Sequence, residues 1–154
     1  MKILHFVMAL SLLLVGCEKS SSLASQGEAA ADSAKSPEQD GSKEGIPEIS
    51  VEKAAQALQA GAVAIDANSK STREKMGTVP DAVILSSSSS YELTQLPSDK
   101  SKDLIFYCSN TFCTASDAAA ERASEAGYEK VHVMREGIKG WKAAGKPTEA
   151  YPRS

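Results

Sequence analysis

Cys108 and Cys113 lie close together in "YCSNTFCTAS", residues 107–116, between an apolar run and an alanine-rich one. Two thiols so placed suit four chemistries: a nucleophile with its neighbour, a disulfide, a metal pair, or two buried structural thiols. The spacing is wider than the usual two-residue zinc knuckle, and His132 falls inside a predicted strand, so no metal is expected. A thiolate at a strand end faces the N–H groups of the next loop and of the following helix N-terminus. Those groups form an anion cradle, which lowers a thiol pKa and stabilises the thiolate that acts as nucleophile. Cys108 has that position, after "DLIFY" and before "TASDAAAERASEAG". Ser109, Asn110 and Thr111 are small and polar, and let the loop wrap tightly around the sulfur. A polar loop at a strand end is a poor place for a buried structural thiol.

The elements that must hold this loop follow from the rhythm of the chain. "ISVEKAAQALQAG" reads as a helix capped by Ser50 and closed by Gly61, with Val51, Ala54, Ala55 and Leu58 at helical spacing. Short apolar runs at 62–66, 82–85, 103–108 and 130–134 read as strands. Residues 71–77 and 93–96 read as weak helical turns. The run 114–127 is the clearest helix, with Thr114 and Asp117 as a capping pair and Gly127 as its stop. A last helix is predicted over 138–145, and the serines at 86–90 as a loop. Strands with near-continuous apolar cores, alternating with helices, argue an α/β domain: a central parallel sheet with helices on both faces. In such sheets ligands bind beyond the C-terminal strand ends, where Cys108 falls. Trp141, Phe106 and Tyr107 read as core. His132 reads as a packed or surface histidine.

Over roughly residues 49–149 the chain resembles the rhodanese superfamily of sulfurtransferase-like domains. "VAID" stands where that family has its first buried strand and acidic residue. "GTVPDAVIL" resembles its Gly-His-Ile-Pro-Gly-Ala stretch, and "LIFYC" its catalytic strand and cysteine. "REGIKGWKAAGKPTE" resembles the closing Gly-Gly…Trp motif, with Gly137, Gly140 and Trp141 in place. The resemblance implies a rhodanese-like fold and a sulfurtransferase activity in which Cys108 carries a persulfide. It implies a binding loop of Ser109, Asn110, Thr111, Phe112 and Cys113 acting through backbone N–H groups. A small sulfur donor and a thiol or cyanide acceptor would be the partners, with no cofactor and no metal. Four positions depart from the family pattern. Asn68 stands where an arginine is common, Thr78 where a histidine precedes Ile-Pro, and Glu136 at the first glycine of the closing pair. Cys113 stands where the loop often ends in arginine. Without that cation, thiosulfate is a doubtful donor, and the phosphatases that share the fold are disfavoured. Arg135 is open to two readings, a source of positive charge from a neighbouring strand end or a surface arginine.

Cys113 then has several readings. It is a bystander that donates only its N–H, or a resolving thiol that attacks a persulfide or sulfenate on Cys108. It is otherwise half of a Cys108–Cys113 disulfide, in a thiol-disulfide redox module that exchanges with partners. A non-catalytic binding module on the same fold is a further reading.

The segments before the domain bear on location. Lys2 and the apolar run "ILHFVMALSLLLVG" have the layout of a secretory signal, too short for a membrane span of about 20 residues. "LVGC" resembles the lipobox of bacterial lipoproteins. That implies a signal peptide over 1–16, cleavage before Cys17, lipid on Cys17, and a membrane anchor of several acyl chains. Glu18 in the next position favours, in a Gram-negative host, the outer membrane facing the periplasm. The stretch to residue 45 is rich in Ser, Ala, Glu and Lys, lacks aromatic residues, and reads as a disordered tether. The domain proper is expected over 46–154. The formal charge of the full chain is −3, or −4 without Lys2, and no basic-aromatic patch appears, so nucleic acid is not an expected partner. The sequence names no protein partner.

Overall fold

A computed structural model describes residues 45–152. The signal peptide expected over 1–16, the lipidated Cys17 and the tether up to residue 44 lie outside the described residues.

Four parallel strands form the sheet: β1 (Val63–Asp66), β2 (Val83–Ile84), β3 (Asp103–Tyr107) and β4 (Lys130–Met134), in the order β2-β1-β3-β4. Ile65 pairs with Val83 and Phe106, and Phe106 with Val133, so β3 is flanked on both sides. The helices are α1 (Val51–Gln59), α2 (Lys70–Met76), α3 (Ala115–Glu125) and α4 (Gly137–Ala143), with a 3₁₀ turn over Leu93–Gln95. The α/β reading, a parallel sheet between helices, is the observed architecture.

Side chains of β3 alternate between the two faces, as a pleated strand requires. Leu104 and Phe106 join Ile65, Val131 and Val133 beneath Ala119, Ala120 and Ala123 of α3. Ile105 and Tyr107 point the other way, into a cluster with Val51 and Ala54 of α1 and Ile138 and Trp141 of α4. Because both faces of the sheet are covered, the central strand is apolar from Leu104 to Tyr107 rather than alternating, whereas the edge strand β4 alternates through Lys130 and His132. Trp141 is buried, and its indole N–H donates to the Pro147 carbonyl at 2.7 Å.

Local signals explain most helix ends. The Ser50 hydroxyl accepts from the Lys53 N–H at 3.4 Å, and Gly61 follows α1 with a positive φ. One expected cap does not form. Thr114 stands at the N-cap of α3 but makes no side-chain capping bond, and its φ of −93° and ψ of 3° leave the extended geometry that such a bond needs. The carboxylate of Asp117, its expected partner, is taken instead by Arg135, with bonds of 2.6 and 2.7 Å. A bidentate guanidinium is the stronger partner.

Candidate functional site

The cysteine loop begins where β3 ends. Its backbone is held from outside by α4: the Ile138 N–H donates to the Cys108 carbonyl at 2.9 Å, and the Lys139 N–H to the Ser109 carbonyl at 3.1 Å. This needs close approach at the head of α4. A Cβ on Gly137, whose φ is +60°, would lie 2.5 Å from the Cys108 carbonyl oxygen and 2.8 Å from the Asn110 nitrogen. Only glycine tolerates both the dihedral and the contact. Within the loop, the Phe112 N–H donates to Asn110 Oδ1 at 2.9 Å, and the Cys113 N–H to the Asn110 carbonyl at 3.1 Å. That turn folds Cys113 back toward Cys108. Phe112 stands at the crown of the turn, 94% exposed.

Both cysteines are free thiols, Cys108 buried and Cys113 half-buried. The Cys108 thiol donates to the Cys113 carbonyl at 3.0 Å, and the Ser116 hydroxyl donates to Cys108 Sγ at 3.4 Å. The expected cradle thus serves the two sulfurs unequally. Burial pushes the Cys108 thiol above its ordinary pKa, and its hydrogen bond with Cys113 adds to the rise, while Ser116 pulls the other way. At Cys113 burial also opposes ionisation. There it is outweighed by the neighbouring Cys108 thiol and by the N–H groups of Ser109 and Ala115, which bring the Cys113 thiol below its ordinary value. The depressed pKa expected at Cys108 therefore falls on its neighbour. The N–H groups of Phe112 and Cys113, expected to face the sulfur of Cys108, are used within the turn.

Arg135 does not face the loop as a free cation. Asp117 holds it on one side and Glu48 on the other, the latter at 2.9 Å. The hydrogen bonds it donates to these carboxylates, Asp117 first, raise its pKa and keep it protonated. Arg135 and Glu48 line, with Thr111 and Glu136, an open depression of about 320 Å³ beside the loop. A larger cavity of about 450 Å³ lies between α1, α4 and Val79–Asp81 and includes no loop residue. His132 pairs with Asp103 at 3.0 Å, at the opposite end of β3 from Cys108. Among the described residues no group of three or more His, Cys, Asp or Glu side chains could hold a metal ion.

Behind the loop lies a buried polar network. Asp66 closes β1, and Tyr107 closes β3; the Tyr107 hydroxyl donates to Asp66 Oδ2 at 2.6 Å. Arg73 of α2 donates through Nε to Asp66 Oδ1 at 3.0 Å and through Nη2 to the carbonyls of Asp66 and Leu85. Asn68, where the family pattern has arginine, instead gives its backbone N–H to Asp66 Oδ1 at 2.7 Å, and its own side-chain amide nitrogen is buried without a partner. The cation beside the acidic residue is thus supplied from the helix.

Residues 50–144 match the rhodanese-like domain family. The chain belongs to that family. Solved structures agree at the level of fold. The rhodanese-like domain is similar to a rhodanese-related protein of Thermoplasma volcanium, at 22% identity and a TM-score of 0.55, over 68% of this chain and 99% of that one. It is similar to a thiosulfate sulfurtransferase of Pseudomonas aeruginosa, at 23% identity and a TM-score of 0.57, over 70% of this chain and 21% of that one. A Rhodopseudomonas palustris protein of unknown function, described as a possible tyrosine phosphatase, aligns at 20% identity with a TM-score of 0.56, over 68% of this chain and 85% of that one. No curated protein sequence matches the chain.

Two contributors escape a reading of the sequence. Ser116 touches the Cys108 sulfur from the first turn of α3, and the only signal is its place directly after the loop. Arg73 lies in a segment that reads as a weak turn, and its partner Asp66 is identifiable only once α2 folds over the end of β1.

Proposed function

We propose that the domain moves sulfane sulfur through a persulfide on Cys108. The carrying observation is the position of its sulfur at the end of β3, against the first turn of α3, where the Ser116 hydroxyl donates to it at 3.4 Å. The Cys108 thiolate attacks the outer sulfur of a donor, the donor's sulfur–sulfur bond breaks, and its remainder leaves with the bonding pair. An acceptor thiolate or cyanide then attacks the outer sulfur of the persulfide and returns Cys108 as thiolate. Burial makes that thiolate scarcer at neutral pH, but a thiol of higher pKa is intrinsically the stronger nucleophile. Since Cys108 is 1% exposed and bonded to the Cys113 carbonyl, loading includes a displacement of the 110–113 turn.

The donor class follows from charge. Cys113 stands in place of a loop arginine, and Arg135 is engaged by two carboxylates, which favours a thiol-borne sulfane sulfur over thiosulfate. The second reading, a Cys108/Cys113 thiol-disulfide module, is favoured by the fold of the loop, which brings the Cys113 carbonyl within 3.0 Å of Cys108 Sγ. The lipobox-like stretch Leu14–Cys17 supports work outside the cytoplasmic membrane on a lipid anchor at Cys17, and Glu18 favours the outer membrane.

The test uses reduced full-chain protein carrying Cys17→Ser, treated with glutathione persulfide, with sulfur uptake followed by intact mass and hydrogen sulfide release. Uptake or turnover should require Cys108 and vanish in Cys108→Ser with the fold retained. Disulfide cycling with a partner but no sulfur uptake would replace sulfur transfer with the redox reading.

A further inference from the structure

Cys113 is more than a donor of one backbone N–H. The turn made by Asn110 bends the chain so that Cys113 folds back on Cys108, and the Cys113 carbonyl lies 3.0 Å from Cys108 Sγ and accepts from its thiol. Of the two thiols, Cys113 is the one open to solvent. We propose that Cys113 is the resolving thiol of the site: it discharges a persulfide on Cys108 as hydrogen sulfide and closes a Cys108–Cys113 disulfide, which an external dithiol reopens. This rests on the persulfide reading above.

The chemistry balances within the loop. A persulfide on the buried Cys108 is favoured in its neutral form, –S–SH, because burial penalises charge. Cys113, held by the N–H groups of Ser109 and Ala115, is the thiol more readily present as thiolate. Its sulfur attacks the inner sulfur of the persulfide. The Cys113–Cys108 sulfur bond forms, the bond to the outer sulfur breaks, and the electron pair leaves with that sulfur as HS⁻. The sulfane sulfur gains two electrons and the two cysteine sulfurs together lose two. Attack on the outer sulfur would instead expel Cys108 as thiolate, the poorer leaving group at a buried position, since leaving-group rate falls as pKa rises. The disulfide is then opened at the more exposed Cys113 by a dithiol protein. A mixed disulfide forms, the dithiol's second sulfur displaces Cys113, and the dithiol departs oxidised.

The experiment follows reduced full-chain protein carrying Cys17→Ser after one equivalent of glutathione persulfide, by intact mass and by hydrogen sulfide release. The proposal expects one sulfide released per chain and a product lighter than the reduced protein by two hydrogens, with Cys108 and Cys113 joined in a single peptide pair. Cys113→Ser should instead gain one sulfur atom on Cys108, keep it, and release sulfide only at the background of Cys108→Ser. A stable gain of one sulfur with both cysteines unjoined in the parent protein overturns resolution and leaves sulfur transfer standing. Sulfide release by Cys113→Ser at the parent rate overturns it equally. No sulfur uptake and no sulfide release by the parent protein would remove the persulfide reading itself, and resolution with it.

Discussion

Cys108 and Cys113 are the same side chain in two different environments, and the difference is made by a few atoms. One sulfur is enclosed and faces a carbonyl; the other is met by N–H groups. The Ser116 hydroxyl is the one side-chain donor to the enclosed sulfur among the bonds described, so its removal tests whether that bond favours the thiolate. In a Cys113→Ser background, Ser116→Ala should raise the Cys108 pKa further, because a bond that favours the charged form is lost. A bond to an ionised group is worth about 1.5–3 kcal/mol, so the alkylation rate by iodoacetamide near neutral pH should fall by roughly tenfold or more. The rate should recover as pH rises, since only the thiolate reacts. An unchanged pH profile would show that the hydroxyl does not face the reacting sulfur. The position of Cys108 was legible from an apolar strand ending at a polar loop. The unequal sharing of the cradle was not, because it depends on the Asn110 turn and on which N–H groups that turn consumes.

Among the elements, α2 shows most clearly what sequence pattern leaves out. "KSTREKM" has no apolar stripe, and its helix is stabilised by the Ser69 cap and by docking Arg73 onto the ends of β1 and β2. Arg73 is 5% exposed and Asp66 is fully buried, so neither charge has water as an alternative partner. Asp66→Ala should strand the guanidinium and cost about 3–5 kcal/mol of stability, read as a fall in the urea midpoint at unchanged slope. A loss below about 1 kcal/mol would mean that Arg73 finds other partners at little cost. The strands and the longer helices, by contrast, were readable because their burial is periodic and local: Leu104 to Tyr107 are all buried, and alanines repeat along the inner face of α3. The Thr114 and Asp117 pair was misleading for the opposite reason. Its local signal is sound, but Arg135, directly after β4, takes the carboxylate.

At the scale of the whole chain, the proposal for Cys17 joins the domain to a membrane through lipid rather than through protein. No helix among the described residues is long and apolar enough to cross a bilayer. In a bacterial host the parent protein should sediment with membranes, whereas Cys17→Ser should stay uncleaved by the lipoprotein peptidase or appear in the soluble fraction. Normal maturation and anchoring of that variant would dismiss the lipobox reading.

The bonds from Ile138 and Lys139 to the carbonyls of Cys108 and Ser109 also set an order of assembly. During synthesis the two thiols leave the ribosome well before the helix that fixes the backbone between them. The sheet is no earlier, since β3 is paired on one side only until β4 emerges. Contacts so distant along the chain form late and cooperatively. An unfinished chain therefore carries both cysteines without the geometry that distinguishes them, and the reactive loop takes its form only when the last part of the domain closes over it.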